Sequence, residues 1–137
     1  MDLLADRSDL NLDDLSWRIY SKNPVMPPHY AGDQAYISCS RVCEGAVIHG
    51  CVEHSVISFG AYVGPNATVE DSILMPNARV EQGAVVQKAI VGENCIIGEG
   101  ARIGVPPGAG DPPVDNRLTG DITVINNDLV IPAHCRV

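Results

Sequence analysis

The aliphatic residues of this chain keep a beat that neither an α-helix nor an ordinary sheet produces. Aligned on Ser40, Ser55, Ser72 and Ala89, successive segments share one skeleton. Two positions on stand Val42, Ile57, Leu74 and Val91; five on, Gly45, Gly60, Asn77 and Asn94; six on, Ala46, Ala61, Ala78 and Cys95. Eight on stand Ile48, Val63, Val80 and Ile97, and later in each unit Val52, Val69, Val86 and Ile103. The later units repeat every 17 residues and the first is two residues shorter. A helix repeats every 3.6 residues, so it cannot give steps of five or six. A two-layer sheet needs longer alternating runs with turn signals every 8–12 residues.

A step near six suits a coil with three short flat faces, each contributing one inward aliphatic. Gly or Asn fits the corners because both accept positive φ at low cost. The Ala or Cys that follows is small enough to sit inside the corner. Coils stack at the ~4.8 Å strand spacing and pair their backbones with one another. The pattern therefore predicts an all-β protein, a left-handed parallel β-helix of hexapeptide repeats. No coil can bury its aliphatics alone, so the repetition is a stacking requirement before it is anything else.

The beat also sets the domain organisation. Residues 1–34 lack it and read as an extended linker and N-terminal cap, with a short helix in the first 17 residues, a strand at WRIYS (17–21) and an extended stretch around Pro27 and Pro28. Residues 35–137 read as the β-helix. Its pattern breaks at 105–120, VPPGAGDPPVDNRLTG, a proline- and glycine-rich excursion loop. The beat resumes at Ile125, Ile131 and Val137.

Composition narrows the function classes. The formal charge is −8, whereas nucleic-acid and anionic-membrane surfaces need clustered Lys and Arg. No stretch approaches the ~20 apolar residues of a membrane span. Residues 1–15 carry six charged side chains, unlike a secretory leader, so the expected location is the cytoplasm. The five cysteines (39, 43, 51, 95 and 135) show no C-x2-C pair and read as reduced thiols, not zinc ligands.

Candidate bases are His29, His49, His54 and His134. Some β-helix enzymes hold zinc with histidines from facing coils. One and two units after His54, however, stand Asp71 and Lys88, so no histidine column is expected. His49 or His54 could serve an acyltransferase of this architecture, although both also read as exposed corner or edge residues. No G-x-x-x-x-G-K-[ST] phosphate loop occurs. On these residues alone the chain reads as a scaffold with no catalytic, cofactor-binding or metal residues.

The order of segments adds a resemblance. MDLL opens the chain, followed by LNL-x-D (10–14), WRIYS (17–21), PP-x-Y (27–30), EG (44–45), VEHSVI (52–57) and ITVINNDLVIPA (122–133). This order resembles the C-terminal part of bacterial glucose-1-phosphate adenylyltransferases. The resemblance implies a family that makes ADP-glucose and pyrophosphate from ATP and glucose 1-phosphate, for glycogen synthesis, with Mg²⁺ held in an N-terminal catalytic domain. It implies that this chain is the assembly and allosteric domain, without cofactor of its own and inactive alone. Expected partners are the catalytic domain, further copies in a homo-oligomer, and a sugar-phosphate or nucleotide effector. Arg117 is the nearest match to an effector-binding arginine, while Glu99 and Asn126 or Asn127 stand where activator lysines fall in plant relatives. The alternatives are a stand-alone acyltransferase or zinc hydratase, and a non-catalytic regulatory homologue.

Overall fold

In a computed structural model, Ser16, residues 24–105 and residues 122–137 are described. The expected helix and the WRIYS strand in the lead-in, most of the excursion loop, and Arg117 lie outside these residues.

The described chain is a three-sided parallel solenoid of sixteen short strands. The first face stacks β1 (Tyr30–Ala31), β4 (Val47–Ile48), β7 (Tyr62–Val63), β10 (Arg79–Val80), β13 (Ile96–Ile97) and β16 (Val130–Ile131). The second stacks β2 (Tyr36–Ser38), β5 (Cys51–Glu53), β8 (Thr68–Glu70), β11 (Val85–Gln87) and β14 (Arg102–Ile103). The third stacks β3 (Arg41–Val42), β6 (Val56–Ile57), β9 (Ile73–Leu74), β12 (Ala89–Val91) and β15 (Thr123–Ile125). Every pairing is parallel and in register: Val47 sits over Tyr62, then Arg79, then Ile96.

The six-residue beat is the inward column of each face. Ile48, Val63, Val80 and Ile97 are fully buried, as are Val52, Val69, Val86 and Ile103, and Ile57, Leu74 and Val91. Ala46, Ala61, Ala78 and Cys95 fill one corner. Beyond the excursion loop, Ile125 is buried and Ile131 and Val137 pack against the same core. The ladder begins at Tyr30, inside the segment read as lead-in, because β1 already pairs with β4. The short unit is localised too. Tyr30 pairs with Val47 across a full unit, whereas Tyr36 pairs with Cys51 across the short one, so the loss falls at the corner His49–Gly50. The corresponding corner of the next coil carries Pro65 and Asn66 in addition. Gly50 closes this tightened corner, since a Cβ there would overlap the Ala67 and Gly64 carbonyls.

The corners differ from one another in a way the pattern did not show. Between the third and first faces the left-handed residues are Gly45, Gly60, Asn77 and Asn94, the Gly/Asn positions that the beat marks, and then Asp128. Between the second and third faces they are Cys39, His54, Asp71 and Lys88, with φ of 45–47°. Side chains with a Cβ cost roughly 1 kcal/mol or more in this region, so inter-coil bonds must hold them there. Those bonds are present: His54 N–H donates to the Ser38 carbonyl, Asp71 N–H to Glu53 and Lys88 N–H to Glu70, at 3.1–3.2 Å.

The serine that opens each unit completes this corner. The buried Ser72 hydroxyl donates to the Glu70 carbonyl at 2.6 Å and accepts the Ala89 N–H at 3.1 Å. Ser55 does the same with the Glu53 carbonyl and the Ser72 N–H, and Ser40 with the Ser38 carbonyl and the Ser55 N–H. Each serine thus bridges its own coil to the next.

Two substitutions test this register. Val80→Asp places an unpaired charge at a fully buried position, so the cooperative thermal transition should disappear; an unchanged Tm would overturn the assignment. Ser72→Ala leaves the Ala89 N–H without its acceptor and should lower stability by about 1–2 kcal/mol, read from the urea midpoint.

Candidate functional site

The second–third corner gathers the polar chemistry of the solenoid. Strands β5, β8 and β11 end in Glu53, Glu70 and Gln87, stacked in register, and the left-handed residues His54, Asp71 and Lys88 follow them. Because the register fixes each residue over its predecessor, side chains one unit apart become neighbours. Gln87 Nε2 donates to Glu70 Oε2 at 2.7 Å, and His54 Nδ1 meets Asp71 Oδ1 at 2.5 Å. His54 and Asp71 are 39% and 38% exposed, so water screens their attraction. Glu70, Asp71, Gln87, Lys88 and Gly104 line a shallow open hollow of about 120 Å³. Beside it, the Thr123 hydroxyl is buried without a partner among the described residues.

The other histidines lie elsewhere. His49 follows β4 on the first face, edge-on between the rings of Tyr30 and Tyr62, with centroids 5.8 and 5.9 Å away. The Arg79 guanidinium covers the Tyr62 ring at 4.5 Å while its Nε reaches Glu81 at 3.1 Å. His134 turns a first–second corner with φ 57°, against Gly100. His49 and His54 therefore occupy different faces of one coil, and the column through His54 runs Cys39, His54, Asp71, Lys88. Among the described residues no three of His, Cys, Asp and Glu converge as metal ligands.

Positions singled out by resemblance serve the stack. Asn127 Oδ1 accepts the Glu93 N–H at 2.9 Å, and the Asn126 carbonyl accepts from Cys95 Sγ at 2.8 Å. The Glu99 carbonyl accepts the His134 N–H. The asparagines also ladder along their corner, from Asn77 Nδ2 to Asn94 Oδ1 and from Asn94 Nδ2 to Asp128 Oδ1. The sequence aligns Asp71 one unit after His54, and that period was the signal from which their pairing, which the sequence reading missed, could have been drawn. No helix among the described residues is long and apolar enough to cross a membrane.

The carboxylates of this corner reach one thiol. Burial, followed by the charges of Glu53 and Glu70, pushes the Cys51 thiol above its ordinary pKa. The folded thiol therefore keeps its proton to higher pH, and the stabilisation it contributes is present below the ordinary thiol pKa and lost as pH rises through the raised one. At pH 8, iodoacetamide should alkylate Cys51 more slowly than the exposed Cys39 and Cys43; equal rates by peptide mass mapping would contradict this electrostatic arrangement.

Comparison with known proteins follows the same boundaries. A family model described as GlmU-like, C-terminal hexapeptide matches residues 28–125. The glucose-1-phosphate adenylyltransferase of Clostridium perfringens (strain SM101 / Type A) is 47% identical over 81 residues, 59% of this chain and 21% of the relative. That of Bacillus mycoides (strain KBAB4) is 45% identical over 88 residues, 64% of this chain and 23% of the relative. The chain thus spans about a fifth of the length of these relatives. The family match coincides with the coils from β1 to β15 and covers more than two thirds of the sequence, so the chain belongs to the GlmU-like C-terminal hexapeptide family.

Proposed function

We propose that this chain is the C-terminal assembly and allosteric module of a glucose-1-phosphate adenylyltransferase, the enzyme that joins ATP and glucose 1-phosphate into ADP-glucose and pyrophosphate. The observation that carries this reading is the 45–47% identity to enzymes of that name, confined to about a fifth of their length. In this reading the catalytic residues, the Mg²⁺ site and the ATP site belong to an upstream domain of the parent protein. The module itself binds no substrate. It holds subunits together in the cytoplasm and passes an effector signal to the catalytic domain.

The solenoid suits such a role physically. Its core is one continuous stack, so a load on one coil is borne by the neighbours through paired backbones. Arg117 is the effector contact of the proposal, because a guanidinium binds phosphate through charge-assisted paired bonds. The His54–Asp71 pair favours the alternative of a stand-alone hexapeptide-repeat acyltransferase, in which Asp71 orients the imidazole. Stoichiometric CoA binding by the purified chain would select that alternative.

The size of the natural gene product tests the main reading. The matched 81 residues are 21% of one relative, which makes such a parent nearly three times as long as this chain. An antibody raised against this chain should therefore detect a band nearly three times its mass of 14.6 kDa in source cells. A band at the chain's own mass would overturn the module reading. In the full-length protein, Arg117→Ala should raise the effector concentration for half-maximal response about tenfold while leaving the effector-free rate unchanged. An unaltered response curve would remove Arg117 from the effector site.

A further inference from the structure

Two of the cysteines, Cys39 and Cys43, are exposed. Their surroundings differ one coil away. Val42 pairs with Ile57, so Ser58 stands at the level next to Cys43. Ser38 pairs with Glu53 and Glu53 with Glu70, so the residues that follow them, Cys39, His54 and Asp71, occupy successive levels of one corner. All three are left-handed, with φ of 45°, 47° and 47°. Equal backbone angles send the three side chains off the corner in the same direction, at the strand spacing of about 4.8 Å. Thiol, imidazole and carboxylate therefore stand in a row. Stacking asks for none of them, because Gly or Asn serves a left-handed corner better.

The contacts give the row an order. His54 Nδ1 meets Asp71 Oδ1 at 2.5 Å. With the hydrogen of that nitrogen turned to the carboxylate, the lone pair of the ring lies on Nε2. Nε2 makes no hydrogen bond among the described residues, and the His54 side chain is 39% exposed. On the other side of the row, Ser38 Oγ donates to Cys39 Sγ at 3.8 Å, so the sulfur already acts as an acceptor. A nucleophile, a base one step away and a third group that orients the base are the parts that activate a cysteine. The other thiols lack them: Cys51 is half-buried beside Glu53 and Glu70, and Cys95 is buried with its Sγ on the Asn126 carbonyl.

We propose that Cys39 is a site of reversible mixed-disulfide formation with low-molecular-weight disulfides, with His54 as its base and Asp71 as the residue that positions His54. In the exchange, His54 Nε2 takes the thiol proton and the Cys39 sulfur attacks one sulfur of the incoming disulfide. The new S–S bond forms as the old one breaks, and the leaving thiolate takes the proton from the imidazolium. The products are the mixed disulfide and one free thiol, so the disulfide itself is the oxidant and no further reactant is needed. Excess thiol reverses the step. The exposed corner leaves the sulfur open to in-line approach by the disulfide. All three residues lie in this chain, whatever domain precedes it.

The test is the rate at which 4,4′-dithiodipyridine modifies each thiol of the purified chain at pH 7, read by peptide mass mapping. Cys39 should react about tenfold faster than Cys43, its exposed counterpart without a neighbouring imidazole. His54→Asn keeps a side chain that accepts the left-handed corner; it should bring the Cys39 rate down to that of Cys43 and leave Cys43 unchanged. Asp71→Asn, which no longer holds the Nδ1 hydrogen, should lower the ratio of the two rates several-fold, and Asp71→Glu, which keeps a carboxylate, should restore it to within about twofold. The wild-type ratio decides without any variant: equal rates at Cys39 and Cys43 overturn the site. A ratio that His54→Asn leaves unchanged, with Cys95 still protected as in the folded chain, overturns it as well.

Discussion

The rest of this structure depends on one constraint: backbone groups of each coil find their partners in the next coil, in parallel register. Tyr62 N–H donates to the Ala78 carbonyl, Arg79 N–H to Cys95 and Ile96 N–H to Leu129. With strands of two or three residues, no face is stable alone. The three faces must advance together, so every corner must turn by the same amount at each level. The inward aliphatics, the small corner residues and the left-handed turns are consequences of that shared step. The shortened coil keeps register because the loss falls wholly within a corner, at His49–Gly50, and leaves all three strands paired.

What the sequence made legible follows from this. The inward columns could be read because burial selects Val, Ile and Leu at a fixed step, and the Ala column because a corner interior admits only small side chains, Ala or Cys. The third–first corner was readable because Gly and Asn advertise positive φ. The second–third corner was not. Cys39, His54, Asp71 and Lys88 share a conformation and no chemistry, and the last three are held by the hydrogen bond each N–H makes to the preceding coil. The repeated serine was visible as a repeat, but its role needs two coils at once: one hydroxyl bonds a carbonyl of its own coil and an N–H of the next. The period placed Asp71 one unit after His54, but the contact between the two side chains depends on how the left-handed corner aims them.

That corner also shows how the fold tolerates local strain. A lysine or histidine in the left-handed region is disfavoured, and in an isolated turn it would relax. Here the serine column on the inner side and the N–H bonds on the outer side fix the same short segment from both flanks. The ladder ends where Ala89 replaces serine. At the next level Thr123 N–H bonds to the Lys88 carbonyl, and the threonine hydroxyl is buried without a partner among the described residues. The regular corner therefore gives way at the level where the excursion leaves and re-enters the coil. Gly104 takes the left-handed position at this level, in a turn so close that a Cβ would overlap the Gln87 carbonyl.

The division of labour among residues follows from the same geometry. Inward and corner positions are over-determined by stacking, so they report on the fold and say little about function. Outward positions are under-determined, because a parallel ladder holds whatever side chain faces solvent. Differences among the outer surfaces then reflect their surroundings: aromatic and guanidinium groups on the first face, carboxylates and a histidine along one corner, branched aliphatics on the third face. On the third face Val56, Ile73 and Ile90 are half-buried and Val124 is exposed, outside a core already closed by Ile57, Leu74 and Val91 beneath them, and β-branched side chains suit the outer surface of a strand.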